Sequence, residues 1–387
     1  MSVTQPLALN ADATLVDWLR QQARLRGSAV ALRHKQRGIW HETTWSQASA
    51  EVGRLAARLA QQGFGAGERL LVISHPRPEA LLLSLAAQAL DGSAILLDPL
   101  ASGASLRHLL AHAAPAYVFA EGQVEVDLVL ATGARRLIIY ADARGLAHYR
   151  QPALLAYQQA LADEGPSPQA PRSSQRHAAF VFYRGTDSGA IEQQQLQHRE
   201  LLLAGKQLVL GERLTAREQA LAARALPTDA QIRYLLAPWL LAGFCLNFPE
   251  NLATRDIDRR ELGPTLVAGT RETYGRLAEL VFDRLPSPGS WLRRLIDYAL
   301  QPQAPTWVRW LSVYPLRRPL SDVLGLRRAR VPLLIGEPLP EPTRRLFVAI
   351  GVKVRAWPEG AHWQPSDVPS ATPSVSPVGL LSTGVVQ

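Results

Sequence analysis

The stretch FVFYRGTDSGAIEQQQLQHREL, Phe180 to Leu201, decides how this chain is read. It opens with an apolar run fit for a short buried strand. A loop of small residues follows, then a polar run, then the start of a helix. That is the layout of a phosphate-cradling loop, in which backbone N–H groups converge on an anion. Such a loop is expected to carry a lysine as counter-charge. Glu192 stands in its place.

Working outward, the preceding residues alternate helical and strand patterns, the signature of a layered α/β sheet. ATLVDWLRQQARLRG sets Leu15, Trp18, Leu19 and Leu25 close to a helical stripe. AVALRH and GIWHET read as a hairpin. TWSQASAEVGRLAARLAQQG places Val52, Leu55, Ala56 and Leu59 on one helical face, with Gly63 as a cap. RLLVIS is a strand, and PEALLLSLAAQALDG is a helix entered at Pro78. SAILLD, AYVFA and RRLIIYA are further apolar strands, as expected of a sheet covered on both faces. Beyond the opening stretch, Leu201–Leu210 continues as helix, and Tyr234–Phe248 reads as an apolar helix and strand. Leu277–Leu300 reads as mostly helical, Val331–Ile335 and VKVRAW as strands, and Pro342–Ile350 as a helix ended by Gly351. The pattern predicts an α/β fold of layered, mostly parallel sheets flanked by helices. It divides into an N-terminal α/β subdomain (1–175), a second α/β subdomain with the loop (176–360) and a Pro/Ser-rich tail (361–387).

Bulk composition narrows the class. Formal net charge is +9 and comes from arginine, since Lys35, Lys206 and Lys353 are the only lysines. The arginines are scattered with no run of five, which reads as a solvated surface and not a nucleic-acid stripe. Cys245 is the only cysteine, so neither an internal disulfide nor a cysteine-based zinc site can form. The N-terminus lacks a basic region followed by an apolar one, so no signal peptide is expected. The longest apolar run, Tyr234–Phe248, is interrupted by Pro238 and Gly243 and falls short of the ~20 residues of a spanning helix. A cytoplasmic protein without a transmembrane segment is expected. His108 and His112 share a helical face but have no third ligand nearby. No G-x-S-x-G or G-x-G-x-x-G setting supports a serine hydrolase or a dinucleotide site.

The ordered segments carry a resemblance. ALRHKQRGIW with Thr44–Trp45, LAQQGFGAGERLLVIS, HPRPEALLLSLAAQALDGSAILLD, NFPEN, RRELGPTLVAGTRETY and LIGEPLPEPTRRLFVAIGVKV follow one another over roughly residues 14–356. In that order they resemble the large N-terminal domain of the adenylate-forming superfamily, nearest to the long-chain acyl-CoA synthetases. Those enzymes use ATP to form an acyl-adenylate and pass the acyl group to coenzyme A. The family's phosphate loop reads Tyr-Thr-Ser-Gly-Thr-Thr-Gly-x-Pro-Lys-Gly and leads to a Leu-Thr-His-x-x-Leu helix start. The opening stretch lies over it without a gap. Tyr183 falls on the tyrosine, Arg184, Gly185 and Thr186 on Thr-Ser-Gly, Asp187 and Ser188 on the paired threonines, and Gly189 on the closing glycine. Ile191 stands on the proline and Glu192 on the lysine, while Leu196, His198 and Leu201 match the helix start. The resemblance also places Gly336 in the adenine segment.

Three departures bear on activity. Glu192 puts a negative charge where phosphates of roughly −4 total charge would sit; at ~6 Å and an effective dielectric of ~20 each unit-charge contact is on the order of 2–3 kcal/mol. Thr186 cannot readily replace a glycine held at positive φ, although Arg184 is a candidate compensating cation. In AWPEGAHW, Trp357 takes the aromatic place of the family's aromatic–Gly–x–Thr–Glu motif, but Gly360 and Ala361 then occupy its Thr-Glu positions, with Glu359 two residues early for a magnesium ligand. No lysine follows Lys353, so the lid-domain lysine of the family has no counterpart here. The expectation is a catalytically degenerate protein with no catalytic residue, no metal site and no cofactor, with a fatty acyl or acyl-CoA ligand or a protein partner as its candidate partners. The alternative is an active AMP-forming acyl-CoA ligase using ATP and magnesium through a divergent loop.

Overall fold

In a computed structural model the structure describes residues 13–162, 176–223, 229–287, 289–299 and 314–358, together with 301, 303, 305, 307, 360 and 362–366. The strands of the first half are β1 (Val30–Gln36), β2 (Ile39–Thr44), β3 (Arg69–Ile73), β4 (Ser93–Leu97), β5 (Tyr117–Ala120), β6 (Leu137–Tyr140) and β7 (Leu154–Ala156). Those of the second half are β8 (Ala178–Gly185), β9 (Ile191–Gln197), β10 (Gln219–Leu221), β11 (Cys245–Phe248), β12 (Leu266–Gly269), β13 (Val331–Ile335), β14 (Arg355–Trp357) and β15 (Gln364–Pro365).

They form two sheets. One runs β15-β9-β8-β4-β3-β5-β6-β7, the other β14-β13-β12-β10-β11-β1-β2. Every pairing is parallel except β1–β2, β8–β9 and β9–β15. Alternation along β3 shows why both faces are covered. Leu70 and Val72 enter the main core, whereas Leu71 and Ile73 pack on the opposite side with Leu106, Leu109, Val126 and Val129 of helices Gly103–Ala113 and Gln123–Ala131. The main core is shared. It takes residues of both sheets and of helices Leu15–Arg26, Trp45–Gln61, Pro78–Ala89 and His198–Gly211, and centres on the stacked indoles of Trp45 and Trp239, 4.6 Å apart. Gly205 allows one close approach within it: a Cβ there would lie 2.9 Å from Ala237 Cβ and from Leu241 Cδ1. A third cluster covers the far face of the second sheet, with Val267 and Leu334 under helices Arg271–Phe282 and Glu341–Ala349.

Sheet membership does not follow the sequence division at residue 175. The β1–β2 hairpin closes the second sheet, joined through Leu32 opposite Leu246, and β8 and β9 extend the first through Phe180 opposite Ala94. Buried edges recruit the strands that fit them, whatever their place in the chain.

Three local expectations are corrected. The polar run after the loop is strand β9, in which Gln194 and Leu196 are buried and Gln195 and Gln197 exposed; a period-two pattern written in glutamines carries little hydrophobic signal. The expected strand VKVRAW is limited to Arg355–Trp357, and Lys353 lies exposed before it. The helical reading of Leu277–Leu300 breaks between Phe282 and Trp291, where Pro286 and Gly289 intervene. The tail begins with strand β15, while residues 367–387 lie outside the described residues.

Candidate functional site

The loop between β8 and β9 is a tight hairpin. Gly185 pairs with Ile191, the Thr186 amide donates to Ala190 O at 2.8 Å, and the Gly189 amide donates to Thr186 O at 3.0 Å. Gly189 takes the left-handed conformation at φ 81°. This is a three-residue connection built as a turn followed by a left-handed residue, which needs glycine at that one place. Thr186 has no positive φ, so the strain expected at that position is absent. Its hydroxyl is instead 2.8 Å from Ser188 Oγ and 3.1 Å from Ala190 O. The amides of Thr186 and Gly189 and both hydroxyls are therefore engaged within the loop. Asp187 and Ser188 are exposed at its tip.

The charged pair below the tip is internally satisfied. Arg184 and Glu192 are directly opposed in the ladder, with Arg184 Nε 2.7 Å from Glu192 Oε2 and Nη2 2.7 Å from the same oxygen. The guanidinium carbon also lies 4.3 Å from the centroid of the Trp363 ring. Arg184 is thus neutralised and stacked, and its charge is not held free for a phosphate. Tyr183, one residue earlier, is buried and accepts from Arg69 Nη1 at 3.0 Å, with the His112 ring edge-on at 5.3 Å. His112 Nε2 in turn lies 2.8 Å from Ser366 Oγ.

The stretch after β14 crosses from one sheet to the other and fastens the loop from behind. Tyr234 donates its hydroxyl proton to Pro358 O at 2.5 Å. Gly360 O accepts from Gln194 Nε2 and from Arg233 Nη2, both at 3.4 Å. A Cβ at Gly360 would stand 3.0 Å from the Arg233 guanidinium. Strand β15 then pairs with β9, Pro365 opposite Glu192. Trp357 lies with its ring 5.9 Å from that of Tyr234. Glu359 and Ala361, the positions weighed for magnesium, lie outside the described residues. Gly336 follows β13 with φ 84°.

Sequence reasoning missed Arg233. Only 5% exposed, it pairs with Asp229 at 3.3 Å and with Glu200. It sits in a π-helical turn, Ile232–Leu236, where the Ala237 amide reaches back to Ile232 O. Pro238 supplies the cause, because it lacks an N–H and its ring crowds the preceding turn, which a wider turn relieves. The i, i+4 spacing of Asp229 and Arg233 was the available signal. His198 is also internal. Its Nδ1 accepts from the Leu15 amide at 3.3 Å, and burial pushes its pKa down to about 4.

Carboxyl ends of strands from both sheets face a cavity of about 540 Å³, lined by His34, Lys35, His75, Arg77, Glu121 and Asp142 among others. A second, of about 250 Å³, is bordered by Asp98, Leu221, Ala268, Glu272 and Arg276. Crevices at this end are where open α/β sheets take ligands. Tyr183 through Glu192 line neither cavity. Several cationic side chains of the larger one are already matched: Lys35 by Asp258 at 2.9 Å and by Glu261, Arg77 by Glu79 at 2.9 Å, and His75 by Glu121 at 2.9 Å. The Glu121 hydrogen bond raises the His75 pKa, while burial lowers that of His34. Among the described residues no group of three or more His, Cys, Asp or Glu stands placed to hold a metal, and no helix is long and apolar enough to cross a membrane.

Two sheets sharing a core, with a strand–hairpin–helix unit at the carboxyl edge of one, define the N-terminal-domain fold of adenylate-forming enzymes. The chain belongs to the AMP-binding enzyme family, which matches residues 19–356. No curated protein matches it by sequence. Solved structures share the fold. A putative long-chain-fatty-acid CoA ligase from Rhodopseudomonas palustris is 18% identical with TM-score 0.61, covering 87% of this chain and 73% of its own. The anthranilate CoA ligase AuaEII in complex with anthranoyl-AMP is 15% identical with TM-score 0.68, covering 89% and 60%. Mycobacterium smegmatis MbtA is 16% identical with TM-score 0.64, covering 89% and 56%.

Proposed function

We propose that this chain is a catalytically degenerate member of the AMP-binding enzyme family, which holds a fatty acyl or acyl-CoA ligand without activating it through ATP. The observation that carries the reading is the closed hairpin, in which Glu192 takes the lysine position and consumes the nearest cation, Arg184. Adenylyl transfer needs preorganised positive groups where charge develops. Here a carboxylate occupies that ground and the Thr186 and Gly189 amides face inward to the loop. What supports the ligand class is the name of one structural neighbour, a putative long-chain-fatty-acid CoA ligase. The reading expects no bound cofactor and a cytoplasmic protein.

Thermal unfolding with candidate ligands tests it, because a ligand that binds only the folded state raises the melting temperature. Long-chain acyl-CoA or fatty acid is expected to raise it, and ATP with magnesium to leave it unchanged. A rise with ATP–magnesium overturns the reading.

A further inference from the structure

Helices Leu15–Arg26 and Trp45–Gln61 border an open groove of about 510 Å³. The end of the first helix meets the start of the second, where the Ser46 amide donates to Gly27 O at 3.0 Å. The floor is apolar: Val16, Leu19, Val52 and Ala56 line it, each 3% exposed or less. The walls are small, with Ala23 on one helix and Ser49, Ala50 and Gly53 on the other. Arg20, Arg24 and Arg54 bring the only charges of the lining, and no acid lines the groove among the described residues. Arg24 and Arg54 are exposed and make no ion pair among the described residues. Arg20 meets Asp17 at 3.4 Å, an exposed pair that salt screens. Glu51, three residues before Arg54 on its helix, is engaged by the Tyr157 hydroxyl at 2.7 Å. The larger cavity differs, because Glu121, Asp142 and Glu250 stand among its cations.

We propose that this groove is the docking site for an acidic amphipathic helix of a partner protein. A recess lined by charge of one sign between low-dielectric walls focuses its field and favours an occupant of the opposite sign. The apolar floor calls for an apolar stripe on that same occupant. A helix supplies both, with apolar residues at i, i+3, i+4 and i+7 and carboxylates on the flanks. Ala23, Ala50 and Gly53 have no side chain long enough to hold an incoming helix away, which suits the near end of the usual ~8–10 Å between packed axes. From Val16 to Arg24 the wall runs roughly 12 Å, about two helical turns. A nucleic acid would meet the arginines and leave the apolar floor wet, and a flat bilayer does not enter a recess between two helices.

The test is fluorescence anisotropy of a labelled synthetic helix titrated with the full chain at low and high salt. The peptide is about 18 residues, long enough to hold helix in isolation, with leucine and alanine on one stripe and glutamate on the flanks. Binding that weakens with salt is expected. Arg20→Glu with Arg54→Glu weakens it roughly tenfold or more, whereas Arg20→Lys with Arg54→Lys keeps most of it. Ala50→Trp, which fills the groove without changing its charge, abolishes it. These side chains are exposed or half-buried, so each melting temperature stays within a few degrees of the parent, which separates lost docking from lost folding. The proposal is overturned if the peptide does not bind or if the variants bind it like the parent. It is overturned too if a scrambled peptide of the same composition, or one with lysine in place of glutamate, binds as well. It is equally overturned if the same variants instead abolish self-association measured by light scattering without peptide.

Discussion

Arg184 and Glu192 stand opposite each other across the β8–β9 hairpin, 2.7 Å apart, with Trp363 stacked on the guanidinium. The carboxylate that replaces a phosphate-binding lysine has its own structural partner. Reversing the one charge therefore does not rebuild the site. Glu192→Lys sets two cations face to face, an exposed cross-strand conflict costing up to about 1 kcal/mol. It leaves the Thr186 and Gly189 amides turned inward. Calorimetric titration with ATP–magnesium is expected to show no binding gain for this variant. A tenfold or greater gain would mean that charge alone had closed the loop.

Arg233 is the fastening point of the segment that backs the hairpin. Removing it strands Asp229, 6% exposed, without its ion partner and leaves Gly360 O with Gln194 Nε2 as its remaining donor. Breaking a buried pair in this way typically costs 3–5 kcal/mol. Arg233→Ala is expected to lose about that much in urea unfolding, and amide exchange in β15 to speed up. Full stability in the variant would show that the cluster holds nothing.

His198 makes stability depend on pH. Burial lowers its folded pKa to about 4 from an ordinary 6.5. Above pH 6.5 both folded and unfolded chains leave it neutral. As pH falls below 6.5 the unfolded chain takes up a proton that the folded one refuses, so stability drops through the window down to about 4, by about 2 kcal/mol at pH 5. His34, also lowered by burial, acts in the same direction. His198→Asn keeps an acceptor for the Leu15 amide and removes the titration. Its loss of stability between pH 7 and pH 5 should be smaller than the parent's; identical losses would contradict the assignment.

Cys245 lies in β11 at 4% exposure, and burial pushes its thiol up to about 12. Thiolate is the reactive form. Labelling by a thiol reagent at pH 8 should be negligible in the folded protein and should follow the unfolding transition in urea. Rapid labelling of the native protein would contradict this burial.

Most of the fold was legible because apolar strands and capped helices announce themselves. Leu70 to Ile73 and Ser93 to Leu97 read directly as buried strands, and Pro78 as a helix entry. Strand β9 was not, since its buried Gln194 is polar and is satisfied by Asp229 and Gly360 O only once the chain has folded. The loop's place was legible from its spacing, but its conformation was not. Whether Thr186 or Gly189 takes the left-handed angle depends on which residues the hairpin pairs, a long-range choice. Arg233 escaped notice because its one local signal, the i, i+4 spacing from Asp229, is too common to single it out in an apolar run. Its partner Glu200 lies more than thirty residues away in sequence.

The most direct test of a degenerate site is acid-dependent pyrophosphate release from ATP–magnesium, measured with the full chain and a panel of long-chain fatty and aromatic carboxylic acids. No release above the acid-free background is predicted. Release that depends on the acid and saturates with its concentration would contradict the account and restore an active ligase.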